Sequence, residues 1–346
     1  MESRRILITG GAGFIGANLA NRLLESGHRV TILDDLARPK VRGNLDWLRE
    51  MHGQALDVNV GSVTDASVCL DAVSNTDVVY HLAAQTAVTT SVADPRRDFE
   101  INALGTLNVL EAARLSTLRP IVVYSSTNKV YGGMEDAGTV EEPTRYAYTD
   151  LTRGVPESQP VDFHSPYGCS KGAADQYVRD YARIYDVPTV VFRQSCIYGP
   201  RQMGVEDQGW LAWFIIALVT GKPITIYGDG KQVRDLLYID DLLDAFELAV
   251  EKIGATQGQV YNIGGGPANA ISIWWDLKPL VEAALGWKVS DPSFSDTRPG
   301  DQPIFIADIA KARRDFGWSP RVSAPDGIHR LADWVVANRE LFASEA

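Results

Sequence analysis

Aliphatic and β-branched runs recur at Arg5–Thr9, Arg29–Leu33, Asp77–Tyr80, Pro120–Tyr124 and Pro188–Phe192. Apolar on both faces rather than alternating, they read as central strands of a parallel sheet. Phe14–Ser26, Phe99–Leu115 and Ser165–Tyr185 instead carry apolar residues at helical spacing. Strands alternating with helices predict an α/β fold, a doubly wound parallel sheet. Beyond about residue 195 the alternation gives way to an apolar helix near 208–220, a Gly-Asp-Gly turn at 228–230 and further short strands, read as a smaller mixed α/β lobe. The expected division is 1–194 and 195–346, with the strand-helix-strand segment 235–262 a candidate to pack back on the larger sheet. Residues 132–164 are a long polar stretch rich in Pro, Glu and Thr, and a loop of that length in a compact protein usually carries function.

The chain of 346 residues has room for about two domains. Hydrophobic residues at 45% and charged residues at 22% are the balance of an ordinary globular protein. Thirty-three basic against forty-four acidic side chains leave a net charge of −11. That excess argues against a nucleic-acid or anionic-membrane binder, although a local basic pocket survives it. Cys69, Cys169 and Cys196 are few and far apart, which suits a reducing compartment, offers no metal-ligand spacing and leads us to expect buried thiols. The longest apolar run, Trp210 to Val219, is too short to cross a bilayer, and a strand replaces the core of a signal peptide at the N-terminus. A cytoplasmic protein is expected.

Gly10, Gly13 and Gly16 stand between the first strand and the first helix, in Thr9-Gly10-Gly11-Ala12-Gly13-Phe14-Ile15-Gly16. This spacing is one residue wider than the dinucleotide fingerprint, but the mechanics carry over. The first glycine turns the chain, the next lets backbone approach a pyrophosphate, and the helix start at Phe14 and Ile15 offers N–H groups. Asp34, at the end of the second strand, is placed to accept ribose hydroxyls and to repel a 2′-phosphate. NAD is therefore expected over NADP, a preference tempered by Arg38. Asp35 is the second choice for the ribose carboxylate.

Tyr167 and Lys171, four residues apart near the start of a predicted helix, share one face. A lysine ammonium and an oxidised nicotinamide would favour the phenolate, which could take a proton from a substrate hydroxyl as hydride leaves carbon. A further hydroxyl from Ser125-Ser126-Thr127, at the carboxyl end of a strand, would orient the alcohol. His81 and His164 lack metal-type companions and read as structural, so no metal is expected.

Together these motifs resemble the extended short-chain dehydrogenase/reductases, the group of nucleotide-sugar epimerases and dehydratases, from about Arg5 to Asn338. The matching pieces are Thr9–Gly16, His81-Leu82-Ala83-Ala84, Asn102 in Ile101–Thr106, Tyr167 with Lys171, and Arg234-Asp235. The resemblance implies an NAD-binding Rossmann domain over 1–194 and a substrate-binding lobe over 195–346. It implies Thr127 as hydroxyl partner, Tyr167 as base beside Lys171, and Leu82, Ala83, Ala84, Gln85, Asn102 and Ser125 lining the NAD pocket. Arg234 and Arg298 match positions that hold the substrate diphosphate, Arg201 is a weaker candidate, and a homodimer or homotetramer is implied. Where many relatives carry Gly-Asp, this chain has Gly61-Ser62-Val63, so adenine contacts at Ser62 and Val63 would rest on backbone.

In dehydratases and decarboxylases of the family, acidic residues follow the catalytic Thr. Here Asn128 and Lys129 follow Thr127, and neither is a natural acid for protonating a leaving hydroxyl. Epimerisation or simple oxidoreduction is favoured. The strings Ser125–Gly132 and Asp162–Tyr177, with Asp207–Trp210, Gly230–Asp235 and Asp301-Gln302, are most similar to the CDP-paratose 2-epimerase (CDP-tyvelose epimerase) branch. That likeness implies oxidation at the sugar C2, reorientation of the ketosugar and hydride return to the opposite face, with Asn128 near the substrate. C2 or C4 epimerisation of CDP-glucose, a GDP-sugar or a UDP-sugar stays open, as do a net dehydrogenase and a non-catalytic NAD sensor.

Overall fold

In the computed structural model, which describes residues 3–38, 40–297 and 301–342, seven parallel strands form one sheet. They are β1 (Arg5–Thr9), β2 (Arg29–Asp34), β3 (Leu56–Val60), β4 (Val78–His81), β5 (Ile121–Thr127), β6 (Thr189–Gln194) and β7 (Gln259–Ile263). Their order across the sheet is β7-β6-β5-β4-β1-β2-β3. The order reverses between β1 and β4, which opens a crevice at the carboxyl ends of these strands, where such sheets bind ligands. β4 and β6 are buried at every position, the pattern of strands covered on both faces.

β3 is the strand the hydrophobic pattern did not reveal: at the sheet edge only Leu56 is buried. Of the segment 235–262, the helix Ile239–Glu251 does lie on the large sheet, with Phe246 stacked on Phe192 at 5.5 Å. β7 pairs with β6. The opening strand Val233–Tyr238 instead centres a separate small sheet, flanked by Cys196–Tyr198, Ala270–Ser272 and Ile304–Phe305. The polar stretch 132–164 contains a hairpin, Thr139–Glu141 with Tyr146–Tyr148, tied to this lobe by Tyr146 N–H to Lys231 O and Tyr148 O–H to Ile304 O. Among the described residues no helix is long and apolar enough to cross a membrane, and no group of three acidic, histidine or cysteine side chains is placed to hold a metal.

Candidate functional site

The turn after β1 is shaped by close approach. Gly10 has φ +69°, and a Cβ there would lie 2.7 Å from the backbone nitrogen of Ala83. A Cβ at Gly16 would collide with the Gly10 carbonyl and the Gly11 backbone. Glycine alone therefore lets the helix Phe14–Glu25 start hard against the loop. Gly13 is its N-cap and brings no side chain to the free first-turn N–H groups, a ready site for a pyrophosphate. Asp34 ends β2 with its carboxylate accepting from Ala12 N at 3.0 Å and Leu36 N at 2.9 Å. Burial pushes it above the usual carboxylate range. Lone pairs remain for ribose hydroxyls, so the cradle and its acid fit NAD. Asp35 is exposed and, among the described residues, bonds Ala37 N, while Arg38 donates to Gln208. Ser62 pairs with Thr64, and Val63 is buried.

The loop after β4 is fixed by two groups. Thr9 Oγ1 accepts from Leu82 N and Ala83 N, both at 3.2 Å. Asn102 Oδ1 accepts from Gln85 N at 2.9 Å, and its amide donates to Gln85 O and Asp98. Asn102 lies in a π-helical turn, Glu100–Leu104, a widening frequent at functional sites. Asp98, which sequence reasoning missed, is buried and also accepts from Ser170 Oγ at 2.5 Å, fastening this loop to the helix that carries Ser170. His81 bridges Thr9 and Thr106, and burial lowers it to about 3. It is neutral and structural.

Tyr167 and Lys171 lie on the helix Ser165–Ile184, facing the end of β5. Lys171 Nζ donates to Ser125 O at 2.5 Å and sits 4.2 Å from the centroid of the Tyr124 ring. Burial pushes the Tyr167 phenol up to about 12, against a smaller downward pull from the nearby Thr127 hydroxyl. Burial also drives Lys171 down to about 7, against the pull of Asp175 and Asp98. Favouring the phenolate, as expected of the Lys171 ammonium together with an oxidised nicotinamide, therefore has to overcome this cost of desolvation. Behind the pair, Asp175 accepts two bonds from Arg193, both at 2.9 Å, and one from Ser126 Oγ at 2.8 Å. The backing is rigid and fully buried, and Asp175, too, went unread in the sequence.

Thr127 leads into a second cluster. Asn128 Nδ2 donates to the buried Gln302 at 3.1 Å, and Gln302 donates to Gly132 O. Asp301 accepts from Arg234 at 2.7 Å and lies 3.4 Å from Lys129 Nζ. Two cations therefore share one carboxylate beside the residue that follows Thr127. Arg298 lies outside the described residues. Arg201 stands apart from this cluster: its guanidinium is 4.1 Å from the Trp47 ring centroid and 5.9 Å from that of Trp334. Of the cysteines only Cys69 is buried; Cys196 is half-buried and accepts from Trp210, and Cys169 is exposed. The expectation of three buried thiols fails at Cys169 because its helix position turns to solvent between the buried Gly168 and Ser170.

Comparison with known proteins agrees with this geometry. A family model described as the NAD dependent epimerase/dehydratase family matches residues 6–264. The chain is 43% identical to CDP-paratose 2-epimerase of Salmonella typhi over 338 residues, 95% of this chain and 98% of that one. Among solved structures it resembles UDP-glucose 4-epimerase of Thermotoga maritima, determined with UDP-glucose, at TM-score 0.82 and 30% identity over 97% and 99% of the two chains. It also resembles a dTDP-glucose 4,6-dehydratase of Streptomyces venezuelae, determined with NAD bound, at TM-score 0.82 and 29% identity over 97% and 98%. With the glycine cradle, the Tyr167–Lys171 pair and a family match across the whole large sheet, the chain belongs to the NAD-dependent epimerase/dehydratase family.

Proposed function

We propose that this chain inverts C2 of a CDP-activated sugar of the paratose/tyvelose type, through a transient 2-keto sugar and with no net change in NAD. The observation that carries the reading is that no acidic residue follows Thr127 at the end of β5. Thr127, Tyr167 and Lys171 converge there, while the next residue is Asn128, held by Gln302. Without an acid to protonate a leaving hydroxyl, redox at carbon is supported and elimination is not. The identity with a CDP-paratose 2-epimerase supports the choice of sugar and base.

When bound, NAD supplies a reversible two-electron acceptor and the positive charge of the oxidised nicotinamide. The first-turn N–H groups from Phe14 to Gly16 would hold its pyrophosphate, Asp34 its ribose hydroxyls, and Leu82–Gln85, Asn102 and Ser125 the remaining wall. Thr127 orients the C2 hydroxyl, Tyr167 takes its proton, and Lys171 offsets the charge left on the phenolate. Return to the opposite face requires the sugar to turn while its diphosphate stays anchored. Arg234 and Lys129 around Asp301 are suited to that anchor, with Arg298 the family's second phosphate position. Residues 1–194 would then bind NAD and 195–346 the nucleotide sugar, with β7 crossing back to complete the sheet.

We also read the chain as a cytoplasmic homo-oligomer, a homodimer or homotetramer. Phe99, Leu104, Tyr177 and Ile184 stand exposed on neighbouring elements, which supports self-association. The reading is tested by incubating the NAD-loaded protein with CDP-tyvelose or CDP-paratose and following the H2 ring couplings by proton NMR. Interconversion of the two is expected. Inversion only of CDP-glucose, a GDP-sugar or a UDP-sugar, or release of NADH in step with product, would replace the proposed substrate or reaction.

A further inference from the structure

A cavity of about 340 Å³ lies between the catalytic helix, β6, β7 and the helix Ala310–Phe316. None of the glycine-loop residues, Tyr167 or Arg234 lines it. Its walls carry four basic side chains, Arg179, Arg193, Lys311 and Arg314, and one acid, Glu157. In a chain with a net charge of −11, this convergence runs against the overall balance.

The charges are not all matched. Arg193 is committed to Asp175, and Arg314 to Asp315. Glu157 has an oxygen taken by Asn262 N at 2.8 Å. Among the described residues Lys311 Nζ donates only to neutral acceptors, Gln259 Oε1 at 3.0 Å and Val260 O at 2.8 Å, although the charges of Glu157 and Asp315 are felt there. Arg179 makes no hydrogen bond or ion pair among the described residues, and burial and the charges of Arg183 and Arg193 disfavour its charge against a smaller pull from Asp175. Half-buried cations crowded in this way gain from an anion that replaces lost water and relieves their repulsion. The volume is at the small end for ligand pockets, about 300–1,000 Å³, which suits a compact, highly charged group.

We propose that this cavity is a binding site for a small, multiply charged oxyanion, a phosphate or diphosphate group, held chiefly between Arg179 and Lys311. It is separate from the diphosphate anchor at Arg234 and independent of the reaction proposed above. The floor of the site is linked to the catalytic strand, because Arg193 holds Asp175 and Asp175 holds Ser126. Occupancy would therefore be felt one residue from Thr127.

The test is calorimetric titration of inorganic pyrophosphate into the full-length, NAD-loaded protein, at ionic strength fixed with chloride. Saturable binding is expected that survives Arg234→Gln. It should weaken by about tenfold or more in the Arg179→Gln, Lys311→Gln double variant, since two charged donors are removed. Arg179→Gln alone breaks no hydrogen bond or ion pair among the described residues, so its partial weakening, with an unchanged melting temperature, excludes misfolding as the cause. Binding lost in Arg234→Gln and unaffected by the double variant would overturn the proposal. So would an absence of saturable binding, or an effect equalled by chloride alone.

Discussion

Replacing Lys171 by Met separates what the residue costs the fold from what it gives the chemistry. The residue is 3% exposed, and burial lowers its pKa from 10.5 to about 7. Below pH 7 the lysine is protonated in both folded and unfolded chains, so folding bears the whole desolvation cost, about 4–5 kcal/mol as an upper bound. Between pH 7 and 10.5 the unfolded chain keeps a proton that the folded chain has released. The cost then fades, and wild-type stability from this group rises with pH. Met removes the cost but also the bond to Ser125 O and the contact with the Tyr124 ring, together worth about 2–4 kcal/mol. The NAD-free variant is therefore expected to be more stable than wild type by about 1–2 kcal/mol at pH 6 while losing activity, with the advantage shrinking by about 2 kcal/mol from pH 7 to pH 9. Urea unfolding of both proteins across this range reads the difference. A difference that stays flat or widens with pH would refute the reasoning, whatever its sign at pH 6.

Three further outcomes follow from the same contacts. Tyr167→Phe should lower turnover by about 10²–10⁴-fold while leaving the NAD dissociation constant unchanged within about twofold, measured by turnover and fluorescence titration. Asp175→Asn leaves the buried Arg193 without its charge partner and should cost about 3–5 kcal/mol in denaturant unfolding. A thiol reagent should modify one cysteine of the native chain quickly, and Cys169→Ser should remove that fast phase. The buried Cys69 and half-buried Cys196 are both pushed up to about 12 by burial, which leaves little thiolate to react.

The strands, the long helices and the pairing of Tyr167 with Lys171 were legible because each depends on residues close in sequence. β1 and the start of the helix carrying Tyr167 and Lys171 fall where the periodicity places them, and the glycine spacing reports a turn that only glycine can make. β3 was not legible, since an edge strand with one buried residue leaves almost no apolar pattern. Asp98 and Asp175 were hidden for another reason. Each looks like an ordinary surface acid on a helix until Ser170 or Arg193 is brought against it from 72 or 18 residues away. Asp301 likewise acquires its meaning only when Lys129 and Arg234 meet it across the lobe. The stacking of Arg201 on Trp47 is long-range packing of the same kind, and position in a motif could not announce it.

The central claim is redox at the sugar C2 with Tyr167 as the base, and it is tested most directly by running the reaction in heavy water. CDP-tyvelose incubated with the NAD-loaded protein in D₂O would be followed by proton NMR at C2. Inversion with protium retained at C2 is predicted, because the hydrogen leaves and returns without meeting solvent. Inversion with deuterium incorporated at C2 would mean removal of a carbon-bound proton and would contradict the account.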